Sequence, residues 1–295
     1  MSDKAPAWVV PVMRAGYAAR GIVYTVVGGL ALLAAVRGGS AEGTRDALAE
    51  LTSKSWGTAL LWVIGIGLFC YAAWRLIDAW MDLDNLGTDA KGIVGRIGQV
   101  VTGIIHAGLG LSAIKLAMGG ESGGSGGGGG EGGSDKAETM TAKVLSWPGG
   151  PYIVGAAALC IIGAGIYYAY KGYSGKYRKH ISDTDMTLKL DPMMKGGLIA
   201  QGVVIGMVGI FILIAAMTLN PENAGGVGQA LDQIRSFAFG RILLGVMAVG
   251  LLFFALENYV QSIYRILPRR AGDDVSTLAK RVKARAEFEA RRVTT

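Results

Sequence analysis

Three side chains stand where keeping a charge is costly: Arg20 in "GYAARGIVY", His106 in "VTGIIHAGLG" and Glu257 in "FFALENYVQ". Each is embedded in a long apolar run. An ionisable group in such a place needs a partner or a changed protonation state, and it is a functional candidate by default. Arg20 and Glu257 carry opposite charge. At 1.5 Å per residue, Glu257 lies ~12 Å from Arg265 and Arg20 ~9 Å beyond Arg14, so the two have similar depth. Matched depth and opposite charge predict a pair, made directly or through water. His106 would relay a proton only beside an acid, and Glu257 is the one acid deep enough. As a neutral imidazole donating to a carbonyl, His106 would be unremarkable.

Catalytic sets are absent. No HExxH occurs, and no nucleophile, base and orienting group can be assembled from a chain with two histidines. His180 has no second ligand at metal spacing, and no CxxC is present. The chain is read as not an enzyme, with no cofactor. Cys70 and Cys160 fall inside apolar runs and read as small buried hydrophobes.

The elements that carry these residues are membrane spans. The 295 residues are 51% hydrophobic and 17% charged, against about 25% charged in soluble domains. Six apolar blocks, at about 12–36, 57–80, 96–118, 151–171, 196–219 and 240–264, are each long enough to cross ~30 Å of hydrocarbon. Six spans put both termini on one side. That side holds 21 of the 29 lysines and arginines, which predicts cytoplasmic termini. The first span is too long for a cleavable signal peptide and holds Arg20.

Between the spans, "GGESGGSGGGGGEGGS" (119–134) reads as flexible slack rather than a phosphate loop, since GxxxxGK[ST] is absent. "TRDALAELTSKSWG" (44–57) and "GGVGQALDQIRSFAFG" (225–240) read as short outer helices that lead into spans. The tail from Asp273 reads as a helix with a basic face of Lys280, Arg281, Lys283 and Arg285. That face suits anionic headgroups, at about 1 kcal/mol per basic residue, and no nucleic-acid module accompanies it.

Three stretches align without gaps: "RAGYAARGIVYTVVG" (14–28), "RIGQVVTGIIHAGLG" (96–110) and "KGGLIAQGVVIGMVG" (195–209). They share three glycine columns: Gly16, Gly98 and Gly197; Gly21, Gly103 and Gly202; Gly28, Gly110 and Gly209. The even spans agree more loosely, with Gly57 matching Gly240 and Gly67 matching Gly250. The unit is a two-span hairpin used three times, so the repeats run parallel around a pseudo-threefold axis. The expected fold is all-α and polytopic. Repeat one spans 1–92, repeat two 93–192, repeat three 193–267, and the basic tail 268–295.

The pattern "GYAARGIVY…GG…AL", a short outer helix and "WG…GLFCYAAWRLIDA", taken three times, resembles a bacterial membrane-protein family described as domain of unknown function 1206. The likeness covers about 12–267 and is strongest in repeat one. It implies a six-span inner-membrane protein and no catalytic residues.

Residues four apart share a helix face, which brings Arg20, Thr102 and Gln201 into one tier and Tyr24, His106 and Ile205 into the next. Packing through small and polar residues is one reading, and a polar crevice along the axis is the other. Packing is favoured. The expected function is a non-enzymatic scaffold or accessory factor acting through helix–helix contacts, with a membrane-protein partner or a second copy. The alternative is a small transporter or channel using the crevice.

Overall fold

The computed structural model describes residues 6–38, 44–53, 55–119 and 134–266. The basic tail and most of the glycine tract lie outside these residues. Ten α-helices follow in chain order, and no strand occurs among the described residues. Six can span a membrane: α1 (Val9–Arg37), α3 (Gly57–Met81), α4 (Ala90–Ala117), α6 (Gly150–Tyr173), α8 (Asp191–Thr218) and α10 (Gly240–Tyr264). Each is apolar around most of its circumference, as a helix bounded by both protein and lipid must be.

Four shorter helices complete the set: α2 (Thr44–Glu50), α5 (Ser134–Leu145), α7 (Asp185–Lys189) and α9 (Val227–Ser236). Helices α2, α5 and α9 occupy the same place in the three repeats, between the outgoing and returning spans. Helix α5 begins at the end of the glycine tract and supplies the third member of this set. Each is followed by a sharp turn into a glycine: Gly57, Gly150 and Gly240. A Cβ there would overlap the carbonyl of Leu51, Val144 or Arg235 respectively. The glycine at the start of each returning span is thus a requirement of the turn.

The spans pack by a rule that the glycine columns make visible. The outgoing helix of each repeat lies against the returning helix of the repeat before it: α1 on α10, α4 on α3, α8 on α6. A Cβ at Gly28, Gly110 or Gly209 would come within 3.2, 3.0 or 3.2 Å of the carbonyl oxygens of Ala248, Gly65 and Ala158. Those three residues hold one repeat position. Gly103 and Gly202 likewise face the carbonyls of Ala72 and Gly165, and Gly21 takes the ring of Tyr259. Small residues let these backbones approach closely, the main source of helix association where lipid removes the hydrophobic drive.

Contacts inside each hairpin break the symmetry. In repeat one, Gly16 meets the backbone of Tyr71, 2.5 Å from where its Cβ would be, and Gly67 meets Ala19. In repeat three, Gly197 meets the backbone of Phe254, and Gly250 meets Ala200. In repeat two, Gly98 has nothing within 4 Å, and α4 and α6 do not pack as the other hairpins do. Ala19 and Ala200 are 3% and 7% exposed, whereas the equivalent Val101 is 50% exposed. Cys160, at the position of Gly67 and Gly250, is exposed rather than the buried hydrophobe that its setting suggested. The bundle is therefore a six-helix ring opened at one seam, between α4 and α6.

Candidate functional site

Where α1, α3, α8 and α10 meet, the polar tier closes on itself. Arg20, Tyr24, His106, Gln201 and Glu257 are all buried, at 4% exposure or less. Arg20 reaches inward from α1 because the glycines beside it let α3 and α10 come close. Its Nη1 donates to the Tyr71 hydroxyl (3.3 Å) and to Oδ1 of Asn258 (3.4 Å). Its guanidinium lies over the rings of Phe254, Tyr71 and Tyr24, at 5.0, 5.2 and 5.4 Å from their centroids. A weakly hydrated, planar cation enclosed by aromatic faces is stabilised by them. Gln201 Nε2 donates to the Tyr24 hydroxyl (2.9 Å), joining α8 to α1.

The remaining candidates sit around this centre. His106 Nδ1–H donates to the Thr102 carbonyl one turn back on its own helix (2.7 Å), and its ring packs against Tyr71 at 4.6 Å. A carbonyl only accepts, so this contact fixes the proton on Nδ1. Thr102 turns away: its hydroxyl donates to the Gly98 carbonyl (2.7 Å) and remains partly exposed. Glu257 accepts from Gln261 Nε2 (2.9 Å). The hydrogen bonds of Arg20 and Glu257 therefore run to different partners. Arg20 reaches Asn258, the next residue along, where a pair with Glu257 was expected.

Toward the end of the bundle that carries the termini, a longer network begins. The Tyr71 hydroxyl also accepts from Arg75 Nε (2.9 Å), and Arg75 lies 3.6 Å from Asp78. Asp78 accepts from Gln99 (2.6 Å) and from the Asp84 backbone N–H (3.0 Å). Asp84 takes both its oxygens to Arg265 Nη2 at 2.7 Å, with His180 at 3.6 Å. Arg265 also donates to Gln261 (2.7 Å), which returns to Glu257. One residue from each repeat thus meets in this knot: Asp84, His180 and Arg265. Burial would raise the Asp84 carboxyl, but Arg265 and then His180 reverse this and hold it well below the usual range. Burial lowers His180 to about 4 against the pull of Asp84. Backbone bonds tie the same place: Ile266 N–H to the His180 carbonyl (2.8 Å), and Ser182 N–H to that of Tyr264 (2.9 Å).

Tyr71, Asn258, Asp84 and Gln99 were not singled out from sequence. Asp84 and Arg265 are 181 residues apart, and no local spacing announces such a pair. Asn258 was legible in principle, because it stands at the repeat position of Arg75. Among the described residues, no cluster of three or more His, Cys, Asp or Glu could hold a metal ion.

A six-helix membrane protein built of three parallel hairpins, with a closed polar centre, is the class these features define. The family described as Domain of Unknown Function (DUF1206) matches residues 15–82, 97–175 and 196–265, one match per hairpin, and the chain belongs to that family. It is 27% identical over 262 residues to the "Uncharacterized protein YxxB" of Bacillus subtilis (strain 168), covering 88% of this chain and 92% of that protein. No solved structure matches the chain.

Proposed function

We propose that this protein is a non-enzymatic scaffold or accessory factor of the bacterial inner membrane. Both termini are cytoplasmic, and it acts through lateral helix contacts with a membrane-protein partner. One observation carries the reading: the polar groups of the centre hydrogen-bond to one another at 4% exposure or less, which builds a rigid core rather than a wet path. The least buried span, α6, is the one best placed to offer a lateral surface.

The test is native affinity purification in mild detergent, with mass spectrometry, on the wild type and on Gln201→Leu. A scaffold retains the same partner in both. A transporter would bring no fixed partner, and its cellular role would fail in the folded Gln201→Leu variant. Labelling of single cysteines placed in the tail, from outside intact cells, tests the orientation. Reaction there would reverse it.

A further inference from the structure

A groove of about 610 Å³ lies on the third hairpin, between α8 and α10. Ile199 and Val203 line it from α8, Ile242, Gly245 and Val246 from α10, and Leu32 from α1, so its surface is apolar. Glycine keeps it open: a Cβ at Gly245 would meet only Ala35, at 3.8 Å. Repeat one carries Trp62 at that position, 40% exposed, and so supplies a large side chain of its own. Repeat two has Gly155 there, but α4 and α6 do not pack to wall a groove. The charge beside the groove is equally particular to repeat three. Arg241 stands one turn from Gly245, on the same face of α10 and toward the end away from the termini. The equivalent residues are Thr58 and Pro151. Arg241 Nε and Nη2 donate to the Ala35 and Val36 carbonyls (3.1 and 2.5 Å), one turn along α1 from Leu32, which fixes the guanidinium at the mouth of the groove. Its Nη1 makes no hydrogen bond among the described residues. No described carboxylate lies within ion-pair distance of Arg241 or of Arg37, which ends α1 next to Val36.

We propose that this groove holds an acyl chain of one anionic phospholipid, whose phosphate sits at Arg241 and Arg37. Shape and charge choose the occupant together. Helices α8 and α10 touch along the groove, where Gly250 meets Ala200, so a third helix, ~10 Å across, cannot enter between them. A hydrocarbon chain can. A phosphate accepts charge-assisted hydrogen bonds from guanidinium N–H groups, and basic groups at headgroup level draw anionic lipid. Void and charge coincide in repeat three, and repeat one, with Trp62 and Thr58, has neither glycine nor arginine at these positions. The inference is independent of the scaffold reading: it requires no protein partner, and a partner seated on α6 leaves it standing.

The test reconstitutes the full chain in nanodiscs with equal phosphatidylglycerol and phosphatidylcholine, then counts retained lipids by native mass spectrometry. The wild type should keep one phosphatidylglycerol in preference to phosphatidylcholine. Arg241→Thr with Arg37→Ala should weaken that preference, by about fivefold per charge removed. Arg37→Ala alone, which breaks no hydrogen bond, gives the single step if the double variant fails to fold. Gly245→Trp, which copies Trp62 into the groove, should expel the retained lipid of either headgroup, and Val203→Trp on the facing wall gives the same readout if that variant fails to fold. Equal retention of both lipids by the wild type overturns the proposal, as does unchanged retention in the folded groove variants. A benzophenone label on Val246→Cys, in a Cys70→Ala, Cys160→Ala background, should attach to lipid. Its attachment to another polypeptide or to a second copy would also overturn the proposal.

Discussion

In the first and third repeats the paired helices touch through Gly67 on Ala19 and Gly250 on Ala200. In the second, the same positions hold Cys160 and Val101, and the helices stand apart. Yet every outgoing helix keeps its contact with the preceding repeat. Gly28, Gly110 and Gly209 approach three equivalent carbonyls in all three places. The contacts between repeats hold this fold together, and the contact within a hairpin is optional. One repeat gave it up by two side chains, and the ring gained a seam.

The largest expected effect sets closed hairpins against the open one. Gly16→Ala and Gly197→Ala each place a Cβ into a facing backbone, which cannot rotate away. Each should cost about 1–3 kcal/mol of stability in detergent. Gly98→Ala meets open space, so it should be neutral or gain up to about 1 kcal/mol from helix propensity. Melting of the three variants side by side checks this. A loss at Gly98 equal to that at Gly16 would mean that the second hairpin closes in solution.

Somewhat smaller effects should follow at the retained interfaces, and there the three repeats should behave alike. Gly28→Ala, Gly110→Ala and Gly209→Ala should each cost about 1–2 kcal/mol. Chemical or thermal unfolding of the series reads the result. If Gly110→Ala alone were harmless, repeat two would be loose at both of its interfaces, and the comparison would fail.

Legibility in the sequence followed the same division. Two of the three gapless glycine columns, those of Gly21 and Gly28, announced the contacts between repeats, because those contacts are made at every copy; the Gly16 column is equally regular in sequence, yet its contact lies within the hairpin and is missing at Gly98. The seam was written at positions 101 and 160, but its meaning depended on which glycine touches which helix. No alignment of one repeat on another supplies that. The centre was legible as a list of polar residues at one depth: Arg20, Gln201, Tyr24 and His106 do converge. The partner of Arg20 was not legible, since depth alone does not distinguish Glu257 from Asn258. Nor was the Asp84–Arg265 pair, which joins the first repeat to the last and depends on the fold being closed there.

The knot at the termini end ties the open repeat to the third despite the seam, and pH should loosen it. The folded pKa of His180, about 4, lies below its unfolded value near 6.5. The unfolded chain therefore takes the proton first. This contribution to stability is complete above about pH 6.5 and falls as pH drops toward 4. At pH 5 the loss should be about 1 kcal/mol, allowing for the partial exposure of the ring. His180→Gln should flatten the dependence between pH 7 and 5, as read by melting. An unchanged slope would place the pH-sensitive group elsewhere.

The smallest effect tests how the closed side of the ring is joined. Residues 257 and 258 are neighbours, so their side chains leave α10 about 100° apart, and only one can face Arg20 squarely. The structure gives that place to Asn258, whose Oδ1 accepts from Arg20 at 3.4 Å, while its own Nδ2 donates to the Phe254 carbonyl at 2.7 Å. The contact is long, and Arg20 is also held by three aromatic faces, so the pair contributes only part of what fixes the guanidinium. A double-mutant cycle of Arg20→Met with Asn258→Leu should give a coupling of about 0.6 kcal/mol, the average for hydrogen bonds between membrane helices. The same cycle with Glu257→Gln should give less, because Glu257 draws its hydrogen bond from Gln261. If the Glu257 cycle showed the larger coupling, the charge on Arg20 would be balanced by the carboxylate after all. The join between the first and third repeats would then be an ion pair in the low-dielectric interior, and losing either partner would strand the other.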